Sequence, residues 1–151
     1  MMHKIKSSKY MIVLFSALGL IILASYVYDY HELRKHIEKS ATLSYHNIIL
    51  TMIAYHQELE HYIHSHDSTN DTNLYILENN IKNIFSTYGV TINLIDGTYK
   101  ELYLEQHSLF KFFIQSLPLN YADCSLQELR HLSSQTMIII GELERLRQDT
   151  P

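Results

Sequence analysis

The hydrophobic positions of the chain form one long uninterrupted block followed by four periodic segments. The block, YMIVLFSALGLIILASYVY, runs from Tyr10 to Tyr28 and contains no charged residue. A helix rises about 1.5 Å per residue, so a helix of this length crosses a hydrocarbon core about 30 Å thick. Tyrosines stand at both ends of the block, where an aromatic belt meets lipid headgroups. Residues 10–28 are therefore predicted to form a single transmembrane helix.

A cleaved secretory signal is the alternative, because residues 1–9 form a short basic leader, MMHKIKSSK. Cleavable signals usually have a shorter apolar segment that ends at an A-x-A-like site. Here the small pair Ala24 and Ser25 is followed directly by the bulky Tyr26. The pattern therefore favours an uncleaved signal anchor.

The positive charges on the two sides of the block predict its orientation. Lys4, Lys6 and Lys9 precede the block, and Arg34, Lys35 and Lys39 follow it, so the counts are equal. Lys6 and Lys9 lie closer to the lipid boundary than Arg34 does, and the free amine adds to them. We expect residues 1–9 in the cytoplasm and residues 29–151 outside it, in the periplasm if the source is bacterial.

The first periodic segment predicts a long helix beyond the membrane. No Gly or Pro occurs between Asp29 and Ser65, so the transmembrane helix can continue without an enforced break. Apolar residues then recur at alternating intervals of four and three, as in a coiled-coil seam. The seam consists of Ala41, Tyr45, Ile48, Met52, Tyr55, Leu59 and Tyr62.

Three more helices are predicted after the polar segment HDSTNDTN, residues 66–73. The second spans residues 72–88, with Gly89 as the residue that ends it, and a short extended connector covers 90–97. The third spans 99–117, and a Ser125–Glu128 capping box opens the fourth. Four amphipathic helices with polar connections are typical of an antiparallel bundle. The predicted fold is all-α: an N-terminal transmembrane helix that continues into a bundle of about four helices.

Charge and cysteine content exclude several classes of function. The formal net charge is only −4 and no basic stripe occurs, so we expect no nucleic-acid partner. Cys124 is the single cysteine, which excludes an internal disulfide and a cysteine-based zinc site. At the start of a helix its thiol pKa could be lowered, but a partly buried, unreactive thiol is the competing interpretation. No nucleophile lies in an activating motif, so we expect no enzymatic activity.

The segment AYHQELEHYIHSHD, residues 54–67, concentrates histidines beside carboxylates. Glu58, His61 and His64 follow one another at intervals of three, and His66 lies in the adjoining predicted loop. Imidazole and carboxylate ligands suit a divalent transition metal such as zinc or copper. A solvated helix end or a pH-responsive contact are the alternatives, since no second Glu-x-x-His copy occurs.

The combined pattern predicts an interaction module in the membrane with no cofactor. We expect the bilayer and either another membrane protein or a second copy of the chain as partners, in a complex, sensor or regulator. If the seam pairs between chains, its contacts are Tyr45, Met52, Tyr55, Leu59 and Tyr62. Burial inside the chain's own bundle is the competing interpretation.

Two further hypotheses remain open at the sequence level. One is an extracytoplasmic sensor of a ligand, pH or a metal, which would use His56 together with Glu58, His61, His64 and His66. The other is a structural rod, such as a lysis or envelope-spanning protein, which predicts one continuous coiled coil.

Overall fold

The computed structural model describes residues 2–65, 71–95, 97 and 99–148, with side chains from Tyr10 onward except Ile12 and Asp71. All four predicted helices are present and the described residues contain no strand, so the all-α prediction is confirmed. His66, the 66–70 part of the predicted loop, Asp96 and Thr98 lie outside the described residues. The helices are α1 (Met2–Ser65), α2 (Asp71–Asn93), α3 (Lys100–Ser116) and α4 (Leu126–Gln148).

The chain divides into two compact units, Met1–His36 and Ile37–Pro151. In the first unit, every described side chain from Tyr10 to Tyr30 is exposed. The aliphatic residues Leu20, Ile21 and Leu23 are 67%, 69% and 59% exposed. Within the described residues, α1 is the one helix that is long and apolar enough to cross a membrane, judged by length and composition.

The second unit is a four-helix bundle built from the later part of α1 together with α2, α3 and α4. Tyr45 of α1 shows the arrangement, because it contacts each of the other helices. Its hydroxyl donates to the Leu143 carbonyl on α4. Its ring lies 6.2 Å from that of Tyr88 on α2 and 5.5 Å from that of Phe110 on α3. The core therefore forms where all four helices meet.

The end of α2 differs from the sequence prediction. Gly89 does not end the helix, because α2 continues to Asn93 and residues 90–93 are helical. Ile92 in the added turn is 3% exposed, so its burial favours the longer helix over an extended connector. The chain then turns through Gly97, whose φ of 107° is readily adopted only by glycine.

The start of α4 agrees with the predicted capping box. The Ser125 backbone N–H donates to Glu128 Oε2 at 2.7 Å, and the Glu128 N–H donates to Ser125 Oγ at 3.3 Å. These hydrogen bonds satisfy donors that the first turn of a helix leaves without intrahelical partners. The Ser125 hydroxyl also donates to Glu128 Oε2 at 2.7 Å, and this bond, followed by the one from the Ser125 backbone N–H, lowers the pKa of the Glu128 carboxyl.

Candidate functional site

The predicted interaction seam lies inside the bundle. Tyr45, Met52, Tyr55 and Leu59 are at most 1% exposed, and Tyr62 is half-buried against the same core. The seam is the apolar face of an amphipathic helix, and α2, α3 and α4 of the same chain bury it. These side chains are therefore core residues in this structure.

The residues proposed as metal ligands point in different directions. Each interval of three residues turns a helix by about 300°, so Glu58 and His64 diverge by about 120° around α1. Glu58 Oε1 accepts from Asn73 Nδ2 of α2 at 3.2 Å. His64 Nδ1 lies 2.7 Å from the Glu60 carbonyl of its own helix. His61 is exposed, and His66 lies outside the described residues.

His56, the remaining member of the sensing hypothesis, packs toward α4. Its Nδ1 lies 3.2 Å from Ser133 Oγ, and the same hydroxyl donates to Glu60. Ser133 is only 4% exposed, and its hydroxyl contacts both the Glu60 carboxylate and the His56 imidazole. The arrangement therefore joins α1 to α4 through hydrogen bonds. Across the described part of the chain, no three His, Cys, Asp or Glu residues are placed to hold a metal ion.

A buried polar chain crosses the bundle, and no sequence pattern described above predicted it. Glu78 of α2 is 6% exposed and forms an ion pair with Lys82 one turn later. Its other oxygen, Oε2, accepts from the Tyr121 hydroxyl at 2.9 Å. The Tyr121 and Tyr55 hydroxyls lie 3.0 Å apart. Because the Tyr121 hydrogen is directed to Glu78, Tyr55 is the donor to Tyr121.

Tyr121 is the centre of this polar chain and is completely buried in the connection between α3 and α4. The rings of Tyr55, Tyr62 and Tyr75 surround it at centroid distances of 6.5, 6.5 and 5.2 Å. Burial raises the pKa of its hydroxyl, and Tyr55 and Glu78 raise it further. The tyrosine is therefore neutral. Its hydroxyl links the α3–α4 connection by hydrogen bonds to Tyr55 of α1 and Glu78 of α2. Glu78 occupies a heptad position between Leu74 and Ile81, which is the one sequence signal that could have revealed it.

Cys124 is not an activated thiol. It is half-buried and its Sγ donates to the Asn120 carbonyl at 3.4 Å. Burial raises its pKa, and Glu128 and Asp123 add to that effect. A raised pKa keeps the group as a thiol at neutral pH, which removes the nucleophilic thiolate. The interpretation as a partly buried thiol is the one that fits this geometry.

A shallow cleft of about 520 Å³ lies beside this connection, between α3 and α4. Ser116, Ser125, Glu128 and His131 are among its lining residues. Ser125 and Glu128 already bond to each other in the capping box, so their polar atoms are engaged. The capping box of α4 therefore forms part of the wall of this cleft.

The exposed surface of the bundle divides by charge. Residues 40–57 of α1 contain no Asp, Glu, Lys or Arg, and residues 72–95 contain only the Glu78–Lys82 pair. The other formal charges of the bundle helices lie at the two ends of the α1 part, at Glu38, Lys39, Glu58 and Glu60, at Asp71 where α2 begins, and along α3 and α4. In α3 they are Lys100, Glu101, Glu105 and Lys111, and in α4 they are Glu128, Arg130, Glu142, Glu144, Arg145 and Arg147.

These features define the class of protein: an all-α chain in which an apolar N-terminal helix precedes a tyrosine-rich four-helix bundle. Comparisons with protein-family models, curated proteins and solved structures find no match.

Proposed function

We propose that this chain is a single-pass membrane protein whose helical bundle is an interaction module for a membrane complex, sensor or regulator. The observation that carries the proposal is the exposed apolar segment from Tyr10 to Tyr28. Exposed aliphatic and aromatic surface is unfavourable in water, at about 25 cal/mol per Å², and a bilayer removes that surface from water. The segment has the length that a hydrocarbon core requires.

The proposed orientation places the N-terminus in the cytoplasm and the bundle on the other side of the membrane. Lys6 and Lys9 stand within four residues of Tyr10, whereas Arg34 lies six residues beyond Tyr28. Positive charge close to a membrane span favours the cytoplasmic side.

Two features support an interaction role for the bundle. Its polar clusters, the His56–Ser133–Glu60 contact and the Glu78–Tyr121–Tyr55 chain, have partners inside the fold. Its outer surface nevertheless exposes large apolar side chains, among them Leu50, Ile76 and Val90. Exposed apolar side chains beside few charges are typical of protein interfaces.

The membrane anchor is tested by extraction and mass measurement of the full chain. We expect the protein to stay in the membrane pellet after alkaline carbonate treatment and to keep the mass of all 151 residues. A soluble chain that has lost its N-terminal residues would instead establish a cleaved signal.

Orientation is tested with a membrane-impermeant maleimide on intact cells. Leu119 is 100% exposed, so Leu119→Cys in a Cys124→Ser background places one accessible thiol on the bundle. Ser8→Cys in the same background places the thiol on the other side of the span. We expect labelling at position 119 alone in intact cells and at both positions after lysis. Labelling at position 8 alone would reverse the orientation.

A further inference from the structure

One stripe on the outer face of α2 stands out because it is heptad-spaced, exposed and uncharged. Its members follow one another at intervals of four, three, four, three and four residues, and every one is exposed. That spacing is the seam of a coiled coil, and inside the bundle α2 already uses a different seam, which includes Leu74, Ile81 and Tyr88. The stripe, named the α2 stripe below, consists of Ile76, Asn80, Asn83, Thr87 and Val90 of α2 together with Leu94 in the turn directly after it.

The composition of the α2 stripe suits burial against another helix. Its ends are apolar, with Ile76 53%, Val90 64% and Leu94 62% exposed. The Thr87 hydroxyl donates to the Asn83 carbonyl at 3.2 Å, so its hydrogen-bonding need is met within α2. An uncompensated polar group at an interface costs free energy, and this internal bond reduces that cost. The stripe is therefore apolar at its ends and internally bonded near its middle.

The scarcity of formal charge around the stripe favours an uncharged partner surface. Lys82 is the only exposed formal charge between residues 72 and 95, and it is paired with Glu78. Two copies of this face would meet without opposing like charges, which a two-fold interface otherwise creates. A partner face rich in charge would instead have to bury those charges without counter-ions. A headgroup surface would favour clustered Lys and Arg, which the stripe lacks.

The asparagines make the stripe self-complementary in hydrogen bonding as well. An Asn side chain carries both a donor and an acceptor, so it can pair with a second copy of itself or with Thr across the interface. Asn at a seam position also fixes register and oligomeric state in coiled coils. We infer that the α2 stripe is the docking surface for a second copy of this chain. The inference rests on the proposed interaction function and names the partner.

The membrane anchor makes such an interface effective. Two chains held in one bilayer meet at a high effective concentration, so a single helix face of modest area is sufficient for association.

Crosslinking of the full chain in membranes tests proximity. In a Cys124→Ser background, Asn83→Cys places a thiol on the stripe, and Ser134→Cys places one on an exposed position of α4. With a short bis-maleimide we expect a chain dimer from position 83 and little from position 134. Equal crosslinking at both positions, or none at position 83, would overturn the inference.

A matched pair of substitutions tests the energetics. Val90 on the stripe and Ile138 on α4 are both β-branched and both 64% exposed. We expect Val90→Lys to lower the dimer association constant in detergent micelles by about tenfold or more, because like charges would face each other across the interface. Ile138→Lys should leave it unchanged. Circular dichroism should show the same helix content in both variants.

The outcomes separate this inference from the proposed function. A chain that is monomeric in membranes but crosslinks from position 83 to a different membrane protein overturns the second-copy assignment and leaves the interaction function standing. A chain that carbonate extracts from the membrane overturns the anchor. Equal loss of dimer in Val90→Lys and Ile138→Lys would show that the contact does not depend on the stripe.

Discussion

At the scale of single residues, the tyrosines of this core combine large apolar rings with hydroxyls that find specific acceptors. Tyr88 donates to Gln106 Oε1 at 2.7 Å, and Gln106 is itself completely buried. Tyr45 donates to a carbonyl of α4, and Tyr55 and Tyr121 form the chain that ends at Glu78. A buried polar group is tolerated when it is hydrogen-bonded, and such bonds fix one arrangement of the helices.

Removing one hydroxyl from this chain tests its importance. Tyr121→Phe would leave the buried Glu78 carboxylate without its tyrosine donor, while Lys82 remains. We expect a loss of about 1–3 kcal/mol in the free energy of unfolding, because a buried acceptor that loses its partner carries the desolvation cost. Urea denaturation followed by circular dichroism measures it.

Tyr75→Phe is the matched control for that substitution. The Tyr75 hydroxyl donates to Asn120 Oδ1 at 3.3 Å in an exposed setting, where water can replace it. We expect its effect to stay within about 0.5 kcal/mol. Equal effects of the two substitutions would contradict the special role of the buried chain.

At the scale of helices, hydrophobic periodicity predicted the existence of all four elements, and the position of Gly89 misled the prediction of where α2 ends. Tyr88 and Ile92 continue the buried face of α2 at an interval of four, and Ile95, just after the helix, is also buried. The alternation from Val90 to Ile95 also fits an extended segment, so local pattern alone was ambiguous. Burial of Ile92 in the core favours the helical conformation of residues 90–93.

The structure gives a different reason for a glycine at position 89. A Cβ there would lie 3.2 Å from His107 Nε2 on α3. The His107 ring stacks on Phe85 with centroids 4.6 Å apart. Burial, and then the Lys111 charge, lower the pKa of His107, so the neutral imidazole is favoured in this contact. Gly89 therefore allows α2 and α3 to approach closely at the histidine.

The two helical glycines of the bundle, Gly89 and Gly141, provide a matched test of this explanation. A Cβ at Gly141 of α4 would meet nothing within 4 Å. We expect Gly141→Ala to stabilise the bundle by about 0.5–1 kcal/mol, which is the helix-propensity gain alone. Gly89→Ala should gain less than this or should destabilise, because the new methyl presses on His107. Equal stabilisation in urea unfolding would show that the close approach has no energetic consequence.

The sequence could not predict the polar chain for a reason of topology. Glu78 and Tyr121 are separated by 43 positions, and Tyr121 lies in a connection rather than on an amphipathic face. Only the folded bundle brings the tyrosine between α1 and α2. The predicted seam, by contrast, depends on periodicity within one helix, and its face was correctly identified while its partner was not determined.

At the scale of the whole molecule, the two units differ in what stabilises them. The buried core draws its described members from Ala41 onward, with Ile37 packed at its edge. No described residue of the first unit belongs to that core. The bundle is therefore self-sufficient in apolar contacts, whereas the first unit depends on whatever surrounds its exposed apolar residues.

This division predicts the outcome of two truncations. A fragment that begins at Ile37 keeps the whole described core, so we expect it to be soluble, helical and cooperative in urea unfolding. A fragment that begins at Leu50 loses Tyr45, Ile48 and Ile49, each at most 1% exposed. Each such core deletion costs about 2–5 kcal/mol, and three of them rival the entire stability of a domain, about 5–15 kcal/mol.

The shorter fragment should therefore lack a cooperative unfolding transition, and far-UV circular dichroism across a urea series shows whether it does. A cooperative transition in the fragment from Leu50, with the midpoint of the longer fragment, would mean that α2, α3 and α4 close a core without this stretch of α1. Tyr45 argues against that result, because it contacts Tyr88 of α2, Phe110 of α3 and Leu143 of α4. Its removal would therefore take one core contact from each of these three helices.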